Sequence, residues 1–400
     1  MTIPLLPYKD VRLFFLDDEG IVFSPEMQQL HILNMSATYI WCCMEEGLNH
    51  DAIVAAFRGT FSVSDKDAGR FVAECIDQLR SLNLIAGAEF SLSGSSRPQP
   101  RDVNTQACLH AYNEPVFDLE HTYRLLGSEF LVRFTEPAQE KWVHPVLAHL
   151  TQSTGVADVT IDVVAIGGDR HLVCRDRRAV QPTAIDGLAP LVKGLVWQDA
   201  VNRSEFFVSI HAGVVGTGEA CALLPAPAGS GKSILTAALA HAGLIYFSDE
   251  VALLKDGSLD VLSMPLSIGV KSTGWDLLEP YFPEIRRLPG HRRLDGTIVR
   301  YLPPPSVKYQ ASDRSCPVRW LIFPQYAEKK PTKLRPLSRA DSLRRLMAEC
   351  VVMPVPLNYA RVASLISWMK SVDCFELQVS SLDRAVELVL ETLSKPHNNY

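Results

Sequence analysis

The sequence predicts an α/β multidomain protein, on three observations. Residues 1–90 read as a hairpin followed by three apolar helical stripes. Residues 91–104, SLSGSSRPQPRDVN, have the Ser/Gly/Pro-rich composition of a linker. From about Phe206 onward, apolar strands flank a glycine-rich loop that opens a helix.

Composition narrows the class before any motif is read. Hydrophobic residues make up 47% of the 400 and charged residues 21%, enough apolar chain for full cores and too much for a disordered or coiled-coil protein. The net charge of −6 gives no support for a large nucleic-acid surface. No apolar run reaches the ~18 residues needed to span a bilayer. The start, MTIPLLPYKDVR, lacks the pattern of a signal peptide. Nine cysteines, an odd number with no C-x-x-C pair, indicate neither a zinc site nor a disulfide framework. A soluble protein of a reducing cytoplasm is expected, with no membrane and no nucleic-acid partner.

In residues 1–90, VRLFFLDDEGIVFS reads as two strands around an acidic turn, Asp17-Asp18-Glu19-Gly20. Met35, Tyr39, Ile40 and Cys43 recur at helical spacing, with Asn34 or Ser36 as N-cap and Gly47 as the stop. Asn49 caps a second helix through Phe57. Ser64 and Asp67 form a variant capping box for a third, whose stripe is Phe71, Cys75, Ile76, Leu79 and Leu82. Leu84-Ile85 reads as a strand. The whole is a small winged-helix-like module.

Residues 105–205 alternate strands (FLVRF, VTIDVVAI, HLVCRD) with a helix around HPVLAHL, a mixed α/β unit without a motif of its own. In residues 206–395 the strand Ala222-Leu223-Leu224 runs into Ala226-Pro-Ala-Gly-Ser-Gly-Lys232-Ser233, then into the helix ILTAALAHAGL. This is a P-loop pattern with Ala226 in place of the first glycine. Gly229 and Gly231 remain where backbone N–H groups must turn toward a phosphate. Ala228, Gly229, Ser230, Gly231, Lys232, Ser233 and Ile234 are the candidate nucleotide-binding residues, with Lys232 at the β- and γ-phosphates and Ser233 on Mg²⁺. Sixteen residues beyond Ser233, the strand Leu244–Phe247 ends in Ser248-Asp249-Glu250, where a P-loop fold holds a metal or a water. The Asp249 strand is expected beside the P-loop strand. Residues 280–310 read as loop, and helices are predicted at 338–350 and 382–394. Lys271 and the guanidiniums of Arg286, Arg287, Arg292, Arg293 and Arg300 are further candidates for phosphate or peptide contact, each otherwise a solvated charge.

Ser209-Ile-His211-Ala-Gly213, the P-loop and Ser248-Asp249-Glu250-Val251, in that order and spacing, resemble the HPr kinase/phosphorylase family. The resemblance extends to lasso-peptide tailoring kinases. It implies a P-loop kinase core of HPr-kinase (PEP-carboxykinase-like) type using ATP and Mg²⁺. It also implies catalytic roles for Asp249, His211 and Glu250, a metal held by Ser233, Asp249 and Glu250, and a homo-oligomer, against which the extra N-terminal units stand. Glu250 replaces the second Asp of that family. Its R-G-L-G-like segment is absent, which removes the support for phosphorolysis and for HPr as substrate.

In residues 1–90, Leu33-Asn34-x-x-Ala37-x-x-Ile40-Trp41, the Gly47 stop and Leu79-x-x-Leu82-x-Leu84-Ile85 are similar to PqqD-like domains. That resemblance implies capture of the leader of a ribosomally made precursor peptide as an added strand. DNA binding is the other common use of such a module, but helix 3 is not basic enough for it. Together the two resemblances imply an ATP-dependent kinase acting on a Ser or Thr hydroxyl of a precursor peptide. The alternatives are a kinase of a small hydroxylated metabolite and a non-catalytic, nucleotide-gated peptide carrier.

Overall fold

The computed structural model describes residues 6–85, 115–152, 155–305 and 314–395; the predicted linker at 91–104 lies outside them. The chain divides into two compact units. The first holds residues 1–100 with Ser338–Arg344 and Val355–Ser371, and the second holds the remainder.

In the first unit, β1 (Arg12–Leu16), β2 (Glu19–Ser24) and β3 (Gln29–Leu33) form an antiparallel meander. Leu16 pairs with Glu19, so the turn is Asp17-Asp18 alone, with Asp17 at φ 54°. A two-residue hairpin needs such a left-handed residue, and Asp tolerates it. Gly20, expected in the turn, sits inside β2. There α1 (Met35–Glu45) crosses so closely that a Cβ would lie 2.8 Å from Thr38 Oγ1, and the Gly20 N–H donates to that oxygen.

Asn34, Asn49 and Ser64 cap α1, α2 (His50–Phe61) and α3 (Asp65–Ser81), each side chain accepting a first-turn N–H. Such a cap stabilises a helix by about 1 kcal/mol. The buried stripe of α3 is Ala68, Val72, Ile76 and Leu79, while Phe71 and Leu82 are exposed, as is Met35 on α1. The core is Val22, Ile40, Trp41, Met44, Ile53, Phe57 and Ile76. Among the described residues, the predicted terminal strand Leu84-Ile85 is present as a single isolated bridge from Ile85 to Pro7.

The second unit opens with the hairpin β4 (Leu119–Leu125) and β5 (Ser128–Phe134). Next come α4 (Pro137–Leu147), β6 (Val159–Ala165), β7 (Arg170–Arg175), β8 (Arg178–Ala184) and α5 (Leu188–Arg203). The five strands pair in chain order, and only β5–β6 is parallel because α4 crosses between them. Side chains of α5 such as Val192 and Val196 close this core with Tyr123, Phe130 and Phe134.

The chain continues through β9 (Val208–Ile210), β10 (Ala212–Gly216), β11 (Cys221–Pro225), α6 (Lys232–His241), β12 (Ile245–Ser248), β13 (Ala252–Leu254), β14 (Val261–Leu262), β15 (Ile268–Lys271) and α7 (Trp275–Leu278). After these come β16 (His291–Arg292), β17 (Ile298–Leu302), β18 (Ser315–Cys316), β19 (Val318–Tyr326), β20 (Lys333–Pro336), α8 (Arg339–Ala348), β21 (Cys350–Val352), α9 (Tyr359–Ser371), β22 (Asp373–Val379) and α10 (Leu382–Leu393). A six-stranded sheet has the order β12-β10-β11-β19-β22-β20, and a five-stranded sheet the order β18-β14-β13-β9-β21.

Two expectations are corrected here. The Asp249 strand, β12, does not lie beside β11, the strand that enters the glycine-rich loop. The edges of β11 are taken by its hairpin partner β10 and by parallel β19, so β12 pairs with the far side of β10. Residues 280–310, expected as loop, contain β16 and β17, which pair with each other and with β15.

Among the described residues no helix is long and apolar enough to cross a membrane.

Candidate functional site

The site gathers where the six-stranded sheet and the five-stranded sheet that holds β9 share a strand path. The predicted strand over Ser209–Gly213 breaks at His211: β9 belongs to one sheet and β10 to the other. The break is held from both sides. The His211 N–H donates to the Glu349 carbonyl at 2.8 Å, Nδ1 of the ring lies 3.2 Å from Glu349 Oε2, and the His211 carbonyl accepts from the Ala226 N–H. Two residues on, Gly213 faces α6. A Cβ there would meet Thr236 Oγ1 at 2.2 Å, so only glycine lets β10 lie this close to the helix.

β11 delivers the chain into the loop Ala226–Gly231. Gly229 and Gly231 have φ of 86° and 87°, a conformation that L side chains rarely adopt. Gly231 is the N-cap of α6 and offers no side-chain acceptor, so the first-turn N–H groups of a ten-residue helix face the loop uncapped. Lys232 is 6% exposed, and its Nζ has no hydrogen-bond partner; the Ser230 hydroxyl is buried without one as well. Burial pushes the Lys232 ammonium down to about 8, against the pull of Asp249, Glu349 and Glu250.

Asp249 follows β12 directly, and the Ser248 hydroxyl donates to the Val251 carbonyl across the turn that places it. It is 2% exposed. The Tyr246 hydroxyl, which donates to the Leu266 carbonyl at 2.7 Å, lies 3.3 Å from Asp249 Oδ1, while Oδ2 has no partner. Burial and the charge of Glu250 raise the Asp249 carboxyl to about 6; Lys193, Lys232 and the facing Ser233 side chain offset part of that rise. A buried ammonium, hydroxyl and carboxylate oxygen without partners are costly in a folded protein. Arranged around one left-handed loop and one helix start, they match the donor set of a polyphosphate with a divalent cation.

Glu250 has partners of its own. Lys193 Nζ lies 3.5 Å from its Oε2 and Arg293 Nη1 3.6 Å from its Oε1. Lys193 first, then Arg293, hold the Glu250 carboxyl below its ordinary range. Burial alone would lower the Lys193 ammonium; Glu250, Tyr301 and Asp249 reverse that and raise it. Lys193 and Glu250 line a cleft of about 450 Å³ with Gln181, Gln198, Arg293 and Tyr301.

Of the candidates read from sequence, Lys232, Ser233, Asp249 and Glu250 come together, and His211 joins them through Glu349. Among the arginines, Arg293 reaches the acids. Arg286 pairs with Asp276 and Glu279, Arg292 with Asp186, and Arg300 stacks on Trp275. Lys271 is an exposed strand end. Lys193, Tyr246 and Glu349 were not legible as site residues. A lysine inside the apolar run LAPLVKGLVW was the available signal for Lys193; Glu349 had none.

Residues 19–85 match the family model of Coenzyme PQQ synthesis protein D (PqqD). That segment holds β2, β3 and the three helices of the first unit. The chain is also similar to the solved structure of TbiB1 in complex with the TbiA(beta) leader peptide. That alignment has 22% identity over 22% of this chain and 100% of that one, with a TM-score of 0.21. No curated protein matches the chain.

Proposed function

We propose that the protein is an ATP-dependent kinase of a ribosomally made precursor peptide. The observation that carries the reading is the set of unpartnered polar atoms on Ser230, Lys232 and Asp249 around the left-handed loop Gly229–Gly231. When bound, ATP supplies the γ-phosphoryl group and Mg²⁺ neutralises its oxygens. The loop N–H groups and Lys232 hold the phosphates, and Ser233 with the Asp249–Glu250 pair holds the metal. The free Oδ2 of Asp249 takes the proton of the acceptor Ser or Thr hydroxyl, and a carboxyl raised to about 6 is suited to that at neutral pH. His211, fixed by Glu349, assists at the P-loop entrance.

The PqqD match supports a peptide partner. The outer edge of β3 pairs with no strand among the described residues, and a leader segment adds there as a fourth strand. Its tethering raises the local concentration of the acceptor hydroxyl.

The experiment is incubation of the purified full chain with γ-labelled ATP, Mg²⁺ and a precursor peptide. Label on a Ser or Thr of the peptide, lost in Lys232→Ala, is the expected result. Label on a small molecule alone, or nucleotide binding with no transfer, overturns the reading.

A further inference from the structure

In the second unit, β4 and α4 meet through two matched pairs of side chains. His121 and Tyr123, two apart on β4, share one strand face. Glu140 and His144, four apart on α4, share one helix face. Where the faces meet, His121 Nε2 lies 3.1 Å from Glu140 Oε1, and the two imidazoles stack with centroids 3.9 Å apart and planes 16° from parallel. One ligand atom each from His121, Glu140 and His144 lies within 4.8 Å of the others.

We propose that His121, Glu140 and His144 form a binding site for a zinc-class divalent ion that clamps α4 to β4. Two imidazoles and one carboxylate are a donor set that suits zinc, with a fourth position left for water. Arms of ~2.1 Å in a tetrahedron put ligand atoms about 3.4 Å apart, so binding draws the three side chains closer and turns the His121 ring out of its stack on His144, bringing a nitrogen of each ring to the ion. Tyr123 supplies the support such sites have. Its hydroxyl is 2.9 Å from His144 Nδ1 and its side chain is fully buried; with Nδ1–H donating to that oxygen, the ring is fixed in the tautomer that leaves Nε2 to ligate. His121 and Glu140 keep about a quarter of their side-chain surface exposed, an open path for the ion. The site draws on no cysteine, so the cysteine spacing that argued against zinc in the sequence had no bearing on it.

The experiment is titration of the chelator-treated full chain with Co²⁺, followed by visible absorption, and with Zn²⁺, followed by thermal unfolding. We expect tetrahedral Co²⁺ bands at one equivalent, displaced by Zn²⁺, and a higher unfolding temperature in Zn²⁺. His144→Asn and Glu140→Gln should lose both effects. Tyr123→Phe keeps the three ligands and the buried ring, and should weaken binding ~10-fold or more without abolishing it. Absence of Co²⁺ bands in the wild-type chain overturns the proposal. So do bands of equal strength in His144→Asn, which would place the ion elsewhere. None of these readouts depends on phosphoryl transfer.

Discussion

Lys193 Nζ lies 3.5 Å from Glu250 Oε2, and this pair joins α5 to the acidic turn beyond β12. Through it a helix in a stretch without any recognisable motif sets the charge of a residue next to the candidate base. Lys193→Met keeps the apolar stem and removes the cation. The Glu250 carboxyl, having lost its strongest cation and keeping Arg293 and Lys232, should titrate at higher pH. We expect phosphoryl transfer to fall ~10-fold, and the acid limb of its pH–rate profile to move to higher pH. A parallel loss at every pH would make Lys193 a packing residue only.

Asp249 is buried with a carboxyl raised to about 6 from the ordinary 3.8, so its ionised form disfavours the nucleotide-free fold. The penalty is absent below the unfolded value and complete above about 6. Asp249→Asn removes it. The variant should therefore unfold at higher denaturant concentration than wild type at pH 7.5, with the gap closing toward pH 4. The same variant should lose transfer by ~10²-fold or more. Equal midpoints at both pH values would mean that Asp249 is not an ionised buried group.

Gly213 and Thr236 are coupled by contact. Gly213→Ala should cost ~1–3 kcal/mol by forcing β10 from α6. Thr236→Ala removes the oxygen that a Cβ would strike at 2.2 Å, so the double variant should recover part of the loss. Additive losses in chemical denaturation would sink the steric account.

Gly231→Ala meets no atom within 4 Å, yet its φ of 87° disfavours any Cβ by ~1–2 kcal/mol. We expect nucleotide affinity to fall ~10-fold or more and the unfolding temperature to drop by only a few degrees. Isothermal titration with ATP and Mg²⁺ reads it; unchanged affinity would show that the loop does not shape a phosphate site.

A precursor peptide and its core segment without the leader should differ in KM and agree in kcat, the signature of binding energy spent on tethering. Free leader should inhibit the full peptide by competition and leave the core segment unaffected. Equal KM for both peptides would remove the leader-binding role of β3.

What the sequence made legible is what is local. Asn34, Asn49 and Ser64 act within one helical turn of themselves, and the strand–loop–helix over Cys221–His241 is contiguous. Features that depend on distant chain stayed hidden. Gly20 looked like a turn residue because the close crossing of α1 is invisible in the string. β12 looked like a neighbour of β11 because β10 and β19 claim the edges of β11 only in three dimensions. Glu349 reaches His211 across 138 residues, and no spacing announces it.

The first unit is finished by a segment that the chain makes late. Gln28 hydrogen-bonds both the N–H and the carbonyl of Leu357. The Tyr359 hydroxyl donates to the Asp10 carbonyl, and its ring takes Arg12 on its face and Phe23 on edge. During synthesis at roughly 5–20 residues per second, β1 waits about 15–55 s after residue 85 for α9 to be made. Until then Phe23 and Arg12 lack their partner, and a nascent chain is exposed to any other hydrophobic surface nearby. The same interleaving means that no single cut of the chain separates the two units: a protease nick near residue 100 would leave them joined, because α9 stays with β1 while its own chain continues into β22.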